Sequence, residues 1–421
     1  MRLVRAMQTA NIDKGRLQIN VQSAIDSRPI ADAHISISYT SEPEQVIEQL
    51  TTNSSGQTEE IELGAPPVEL SLNVANEIMP YSEYTLRITA PGFEEKDITG
   101  AQILADVEAI QNARLNPLVA PNEAAEVFTI PYHTLYGVYP PKIAEEEIKP
   151  TEESGEIVLS RVVIPEFIIV HDGSPRDPTA RMHYTRYRDY IKNVASNEVY
   201  ATWPTNTLRA NILAIMSFTL NRVYTEWYRN RGFDFMITSS TAFDQKWVPE
   251  RNIFDTISVV VDELFGNYLS RPNVRQPILT QYCDGNRVSC PNWMSQWGSK
   301  ALGDQGYSAI EILRYYYGQN MYINTAPEVS GIPRSWPGHS LEIGFSGENV
   351  RIIQEQLNAI AQNYPAIPKL VVDGVYGPLT KASVEKFQSV FNLPVTGVVD
   401  YATWYRISEI YVAVTRIAEL V

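Results

Sequence analysis

Acid–base chemistry on a polar bond needs a carboxyl group held away from bulk water, and Glu198 stands where a sequence can arrange that. It lies in the run YIKNVASNEVYATWPTNTLRANILAIMSFTLNRVYTEWYRNRG, residues 190–232. Tyr187, Tyr190, Ile191 and Val194 recur at helical spacing, which brings Glu198 to the last turn of a helix ending before Trp203-Pro204. The break has a steric cause, because a proline pushes the residue before it out of the helical region. Tyr190, Val199, Tyr200 and Trp203 can supply an apolar, partly dry pocket, and such a pocket raises the pKa of a carboxyl group. Most glutamates are solvated surface groups, so burial separates the chemical reading from the ordinary one. A hydrolase of the two-carboxylate kind also needs a partner acid at a set distance. Asp234, Asp244, Asp255 and Asp284 offer that chemistry, but no motif marks any of them.

A second constellation runs from Tyr282-Cys283-Asp284-Gly285 to Cys290 and on through Met294-Ser295-Gln296-Trp297-Gly298. Cys283 and Cys290 can be half of a zinc site, a disulfide or two separate thiols, and six intervening residues containing Gly285 can close a tight loop between them. A zinc site wants four Cys or His ligands. The histidines, His34, His133, His171, His183 and His339, all lie far off in sequence, so the three readings stay open.

These residues must be positioned by the elements around them. After Pro204, Thr205 and Asn206 are cap-type residues, and Leu208, Ile212, Leu213, Ile215, Met216, Phe218, Leu220 and Val223 place apolar groups all round a cylinder, so that helix belongs inside a domain. A chain of 421 residues exceeds one ordinary core and predicts a multidomain protein. Residues 15–115 read as an N-terminal β-sandwich: Leu17 to Val21, Ala33 to Tyr39, Val68 to Asn73 and Tyr84 to Ala90 alternate apolar and polar residues between turn residues. Residues 116–157, with Pro117, Pro131, Pro140, Pro141 and Pro150 and acidic runs at Glu145-Glu146-Glu147 and Glu152-Glu153, read as a solvated linker. A central α+β domain follows at 158–320, then a second Pro/Gly-rich linker at 321–340. Residues 341–415 form a helical module, with Val350, Ile353, Leu357 and Ile360 on one face and Val384, Phe387 and Val390 on another.

A net charge of -15 argues against a nucleic acid or an anionic membrane as partner. No apolar run approaches the length of a membrane helix, and Met1 to Gly15 lacks the apolar core of a secretory signal, so no transmembrane segment or signal peptide is expected. Composition by itself would leave the chain cytoplasmic.

The pattern Y-I-K-x-V-A-x-N-E-V-x-x-x-W-P-x-x-x-L-R-A-N-I resembles the first signature of the SpoIID/LytB (stage II sporulation protein D) family, and MSQWGSKALGDQGYSAIEILRYYYG, residues 294–318, resembles its second. The resemblance implies a SpoIID-like fold and a lytic transglycosylase of peptidoglycan glycan strands, with Glu198 catalytic. It also implies substrate contacts from Tyr190, Trp203, Tyr282, Ser295, Gln296 and Trp297. A single acid suffices on that route, because a muramic acid 6-hydroxyl is the nucleophile. Members that bind zinc use cysteines and a histidine near this loop, which would make Cys283 and Cys290 metal ligands, although the histidine is missing here. The chain departs from the first signature again at Met216 and Phe218, where an arginine and a tyrosine are usual.

V-x-x-I-Q-x-x-L, D-G-V-Y-G-x-x-T-x-x-x-V-x-x-F-Q and G-V-V-D-x-x-T-W resemble the three-helix peptidoglycan-binding module of the first type, which implies a wall-binding groove near Asp373 and Tyr376. The N-terminal strands are similar to carboxypeptidase regulatory-like modules. The order of parts resembles that of spore cortex-lytic enzymes, which implies a place in the cortex or cell wall, a role in germination, and an N-terminal pro-region removed by an activating protease. A reading from another class is a catalytically weak peptidoglycan-binding or spore-assembly protein. The apolar pattern of the C-terminal module is complete between Leu341 and Ile410, so that fragment should sediment with insoluble peptidoglycan. A fragment left in the supernatant while the full chain pellets would place wall binding elsewhere.

Overall fold

A computed structural model of the chain describes residues 13–119, 125–149 and 159–415. The N-terminal strands β1 (Asp13–Ser23), β2 (His34–Tyr39), β3 (Val46–Thr51), β4 (Ile61–Ala65), β5 (Ser82–Thr89), β6 (Lys96–Ile103), β7 (Glu108–Leu115) and β8 (Glu126–Thr129) build two sheets. One has the order β3-β2-β5-β6-β8. The other has the order β13-β7-β1-β4, and its outer strand β13 (Ile253–Phe254) is lent by the central part of the chain. Alternation decides the faces: Leu17, Ile19 and Val21 of β1 and Ile35, Ile37, Leu86 and Ile88 of the other sheet are buried in one core. The expected antiparallel sandwich is mixed, since β1 runs parallel to β7 and β6 parallel to β8. Val68 to Asn73, expected as a strand, makes one helical turn at Glu69–Leu72 instead. Val68 N–H donates to Asp13 there (3.0 Å), and the Ser71 hydroxyl donates to Val68 O (2.7 Å).

The central part packs helices α1 (Tyr187–Glu198), α2 (Thr205–Tyr224), α3 (Asp255–Leu264), α4 (Gln296–Asp304) and α5 (Ala309–Tyr317) among short strands. Among these are β9 (Val163–Ile164), β10 (Phe167–His171), β11 (Met182–Arg186), β12 (Ile237–Thr238), β14 (Asn267–Ser270), β15 (Tyr282–Cys283), β16 (Met294–Ser295), β17 (Tyr322–Thr325) and β18 (Glu328–Val329). In α2 every side chain from Thr207 to Tyr224 except Arg209 is buried, as its all-round apolar pattern requires.

Neither described linker is a solvated connector. Residues 131–149 form a strap laid on the central part: the Thr134 hydroxyl donates to Asn197 O (2.7 Å), and Ile143 N–H donates to Ala242 O (2.7 Å). The acidic run is drawn in by basic partners. Glu145 pairs with buried Arg222 and with Lys149, and Glu147 pairs with Arg271. Glu152 and Glu153 lie outside the described residues. In the second linker, β17 pairs with β14 and β18 with β9, while the Trp336 ring packs edge-on against Trp404 and Tyr401.

The C-terminal helices α6 (Glu348–Asn363), α7 (Pro378–Val390) and α8 (Tyr401–Thr415) bury Val350, Ile353, Leu357, Val384, Phe387, Trp404 and Ile407 between them. The turn before α7 needs Gly374 at φ +73, and its N–H donates to Gln354 (2.8 Å). This unit is docked on both others. Asn392 donates to the Gln18 side chain of β1 (2.7 Å), and Gln57 of the N-terminal region donates back to Val390 O (3.0 Å). On the central side, α8 presents Glu409 to Arg188 of α1, which also holds Asp262 of α3 (3.2 Å), as does Lys192 (2.7 Å). Arg406 completes the cluster at 3.1 Å from Glu409.

Burial works against the charge of Glu409, but Arg188, Arg406 and Arg186 outweigh it and hold the carboxyl well below the usual range. Removing one partner leaves buried charge uncompensated, so Glu409→Ala should lower unfolding stability at pH 7 by about 3 kcal/mol. A depressed carboxyl contributes fully above its unfolded pKa of roughly 4.3 and progressively less below it. The gap between parent and variant in urea unfolding should therefore narrow from pH 7 to pH 3. An equal gap at both values would contradict the assignment.

Candidate active site

Helix α1 ends at Glu198, and the Val199 N–H bond to Ala195 O (3.0 Å) closes its last turn. The side chain is buried (4 % exposed), yet it faces polar groups. One carboxylate oxygen accepts from Lys246 N–H (2.9 Å). The other accepts from Gln296 Nε2 (3.3 Å) and lies 3.4 Å from the Thr134 hydroxyl, whose proton is directed chiefly to Asn197 O. Gln296 Nε2 also donates to Glu198 O (2.8 Å), so one amide satisfies a helix-end carbonyl and touches the carboxylate beside it. These groups border a cleft of about 250 Å³, closed on one side by Tyr139, Pro141 and Lys142 of the strap and on another by Tyr282.

The carboxylate is felt by its neighbours. Burial, reinforced by the charge of Glu198, pushes the Tyr139 hydroxyl up to about 12 and that of Tyr282 well above its ordinary value. Burial pulls Lys142 and Lys246 below the ordinary lysine range, with Glu198 opposing the shift in both and Asp172 also opposing it in Lys246.

Of the residues expected to serve Glu198, the fold brings Gln296 and Tyr282 to the cleft. Tyr190 is buried with its hydroxyl on Gln245 (3.2 Å), and the Trp203 indole donates to Ser71 O (3.0 Å). Trp203 packs against Trp297 (ring centroids 5.0 Å apart), and Tyr200 meets both edge-on, so the three form a wall behind the acid. The expected dry pocket is thus displaced: the aromatic groups pack on one another while the carboxylate takes hydrogen-bond donors. Ser295 caps α4 by accepting Gly298 N–H (2.9 Å). Its Oγ lies 1.8 Å from where a side chain on Gly285 would begin, so that position excludes one.

Cys283 and Cys290 are joined in a disulfide, which removes both as thiolate ligands and corrects the metal reading. In the C-terminal unit Asp373 accepts from Val375 N–H and Gln354 (2.8 Å each), and the buried Tyr376 donates to Gly397 O (3.0 Å). Both support a turn; the exposed apolar groups nearby are Val371, Val375 and Leu379.

Three of the four candidate aspartates have hydrogen-bond partners of their own. Asp244 is bound by Arg222, Tyr228 and Thr238, and Asp284, though beside the cleft, accepts the N–H groups of Asn286, Arg287 and Val288. Asp255 accepts Glu108 N–H (3.3 Å) at the seam with the N-terminal sheets, and Asp234 is exposed. Thr134, Tyr139, Lys142 and Lys246 were invisible to sequence reasoning, because no spacing links the strap or the loop of Lys246 to Glu198.

Comparison with known proteins places a peptidoglycan binding domain at residues 346–407. The zinc D-Ala-D-Ala carboxypeptidase of Streptomyces albus G is 39 % identical over 77 residues, which are 18 % of this chain and 28 % of that protein. The chain therefore spans little more than a quarter of that relative. No SpoIID-family match was found for the central part. Solved structures sharing partial similarity include the minor pilin GBS52 of Streptococcus agalactiae (14 % identity, TM-score 0.18, 27 % of this chain and 48 % of that one). Catechol 1,2-dioxygenase of Acinetobacter sp. ADP1 is another (12 %, TM-score 0.19, 28 % and 59 %). Scores this low carry nothing further about the fold.

Peptidoglycan binding and a cell-wall association are thereby supported, and among the described residues no helix is long and apolar enough to cross a membrane. The described residues do not fit the zinc that the carboxypeptidase's name implies: no three His, Cys, Asp or Glu side chains converge, and the cysteines are bonded to each other. Thiol titration of the unfolded, unreduced chain should give no free thiol, and reduction should release two. Two thiols without reductant, or stoichiometric zinc in protein purified without chelator, would reverse this assignment.

Proposed function

We propose that the chain cleaves peptidoglycan glycan strands by lytic transglycosylation at Glu198, with its C-terminal domain holding it to the wall. The observation that carries this reading is the buried Glu198 carboxylate at the edge of a cleft, with Gln296 on both its carboxylate and its carbonyl. Two stretches nearly a hundred residues apart thus meet at one acid. In the reaction, the protonated carboxyl gives its proton to the leaving 4-oxygen as the bond from muramic C1 breaks. The 6-hydroxyl oxygen of the same muramic acid then bonds to C1, and the carboxylate takes the hydroxyl proton. Atoms balance to a 1,6-anhydro end and a free 4-hydroxyl, with Glu198 restored and no water consumed. Wall binding at 346–407 and the order of parts favour the spore cortex as the setting and germination as the occasion, with an activating protease as a partner.

A second reading, a catalytically weak wall-binding or spore-assembly protein, draws on the strap. The cleft of about 250 Å³ is smaller than the roughly 300–1,000 Å³ of ordinary ligand sites, and the strap closes one of its sides. Digestion of purified cortex glycan followed by mass analysis of the ends distinguishes the two. Glu198→Gln keeps the shape of the side chain and loses its proton, so anhydro ends should vanish while wall binding persists. Unchanged release by the variant would remove Glu198 from the chemistry, and no release by either protein would leave the platform reading.

A further inference from the structure

The cleft beside Glu198 holds a cation that does not come from the central part of the chain. Lys142 belongs to the strap, and it lines the cleft together with Glu198, Tyr282 and Gln296. Its ammonium lies 5.1 Å from the ring centre of Phe218 and 5.2 Å from that of Tyr282. It donates one hydrogen bond to an oxygen, Asp244 O. An ammonium has three N–H donors, so two have no oxygen acceptor among the described residues, and the group sits beside two aromatic rings at the cleft. Aromatic faces hold a cation in place without neutralising it. Around it stand Glu198, Asp244, Glu145 and Arg222, with Asp244 and Glu145 themselves bound by Arg222. A lysine kept partly desolvated and short of acceptors next to a candidate acid is poorly explained as an anchor alone, since its stem could reach solvent at far less cost.

We infer that Lys142 is a substrate-binding residue, which completes the Glu198 cleft from the strap and donates to an acceptor oxygen of a bound amino-sugar strand. The acceptor is either the lactyl carboxylate of a muramic acid or the carbonyl of an N-acetyl group. This rests on the reading of the cleft as a glycan site. It gives the strap a constructive part there: whatever it covers, it also supplies a cation to the cleft of the acid.

The test uses full-length Glu198→Gln protein, so that ligand persists, and measures binding of a stem-free tetrasaccharide of alternating N-acetylglucosamine and N-acetylmuramic acid. Chitotetraose, which lacks the lactyl carboxylate, is run beside it. Adding Lys142→Met, which keeps the stem and removes the charge, should weaken tetrasaccharide binding about ten-fold or more, the range for a lost hydrogen bond to a charged group. Loss with the muramic ligand alone assigns the carboxylate, and loss with both assigns the N-acetyl carbonyl. Binding should also fade as pH rises through a value below the ordinary lysine range, because burial lowers the ammonium's pKa. Lys142→Arg should carry it to higher pH, a readout that an anchoring role would not move. Melting temperature and wall sedimentation of the variants check that the chain stays folded. Equal affinity of the Glu198→Gln protein with and without Lys142 overturns the inference while leaving the function standing. Failure of the Glu198→Gln protein to bind either ligand overturns both.

Discussion

Helix α1 is the strut on which the molecule depends, because its two ends serve different neighbours. Near its start, Arg188 and Lys192 are committed to Asp262 and Glu409, which fixes the helix to α3 and to the wall-binding unit. At its finish it delivers Glu198 to the cleft. An α-helix is stiff over this length, so docking of the C-terminal unit and the direction of the acid are set by one rigid body. The buried charges are tolerable only as a set: each carboxylate has at least one guanidinium or ammonium within hydrogen-bonding distance, and losing any one strands the rest.

The strap follows the same electrostatic logic. Arg222, 1 % exposed, would be prohibitively costly inside α2 without acceptors, and it receives them from Asp244 on one side and Glu145 on the other. An acidic segment that repels itself in water is thus drawn onto the surface by an interior arginine. The strap lies where it does because α2 carries a charge that nothing else satisfies as fully.

Periodicity made α1, α2, α6 and α7 legible, together with the place of Glu198 at a helix end, because each depends on residues within a few turns of one another. The core of the C-terminal unit was equally plain, with Val350, Ile353 and Leu357 recurring on one face. What escaped depends on distance in sequence. Proline and glutamate in 131–149 are the residues of a solvated connector, and it takes the buried Arg222 and the half-buried Arg271 to make them otherwise. Trp203 and Trp297 look like sugar platforms in a list of residues; ninety-four positions apart, they find each other and Ser71 first. The disulfide, one of three readings of the Cys283–Cys290 spacing, could not be chosen until the loop was seen closed. Asp373 and Tyr376 sit in a motif that spacing reveals, while the turn they hold was seen only in the folded chain.

Strand β13 has a consequence for the chain's integrity. The sheet β13-β7-β1-β4 takes three strands from the N-terminal region and one from between Arg251 and α3, so the seam is stitched by main-chain pairing of Ile253 with Ile110 and Phe254 with Ala109. Around it, Asn252 exchanges two hydrogen bonds with Gln102, and buried Lys96 reaches Glu250. A single scission of the backbone between the strap and β9 would therefore not divide the molecule. The two pieces would stay together as a nicked complex, held by a shared sheet, and parting them would require the work of partial unfolding as well as peptide-bond hydrolysis.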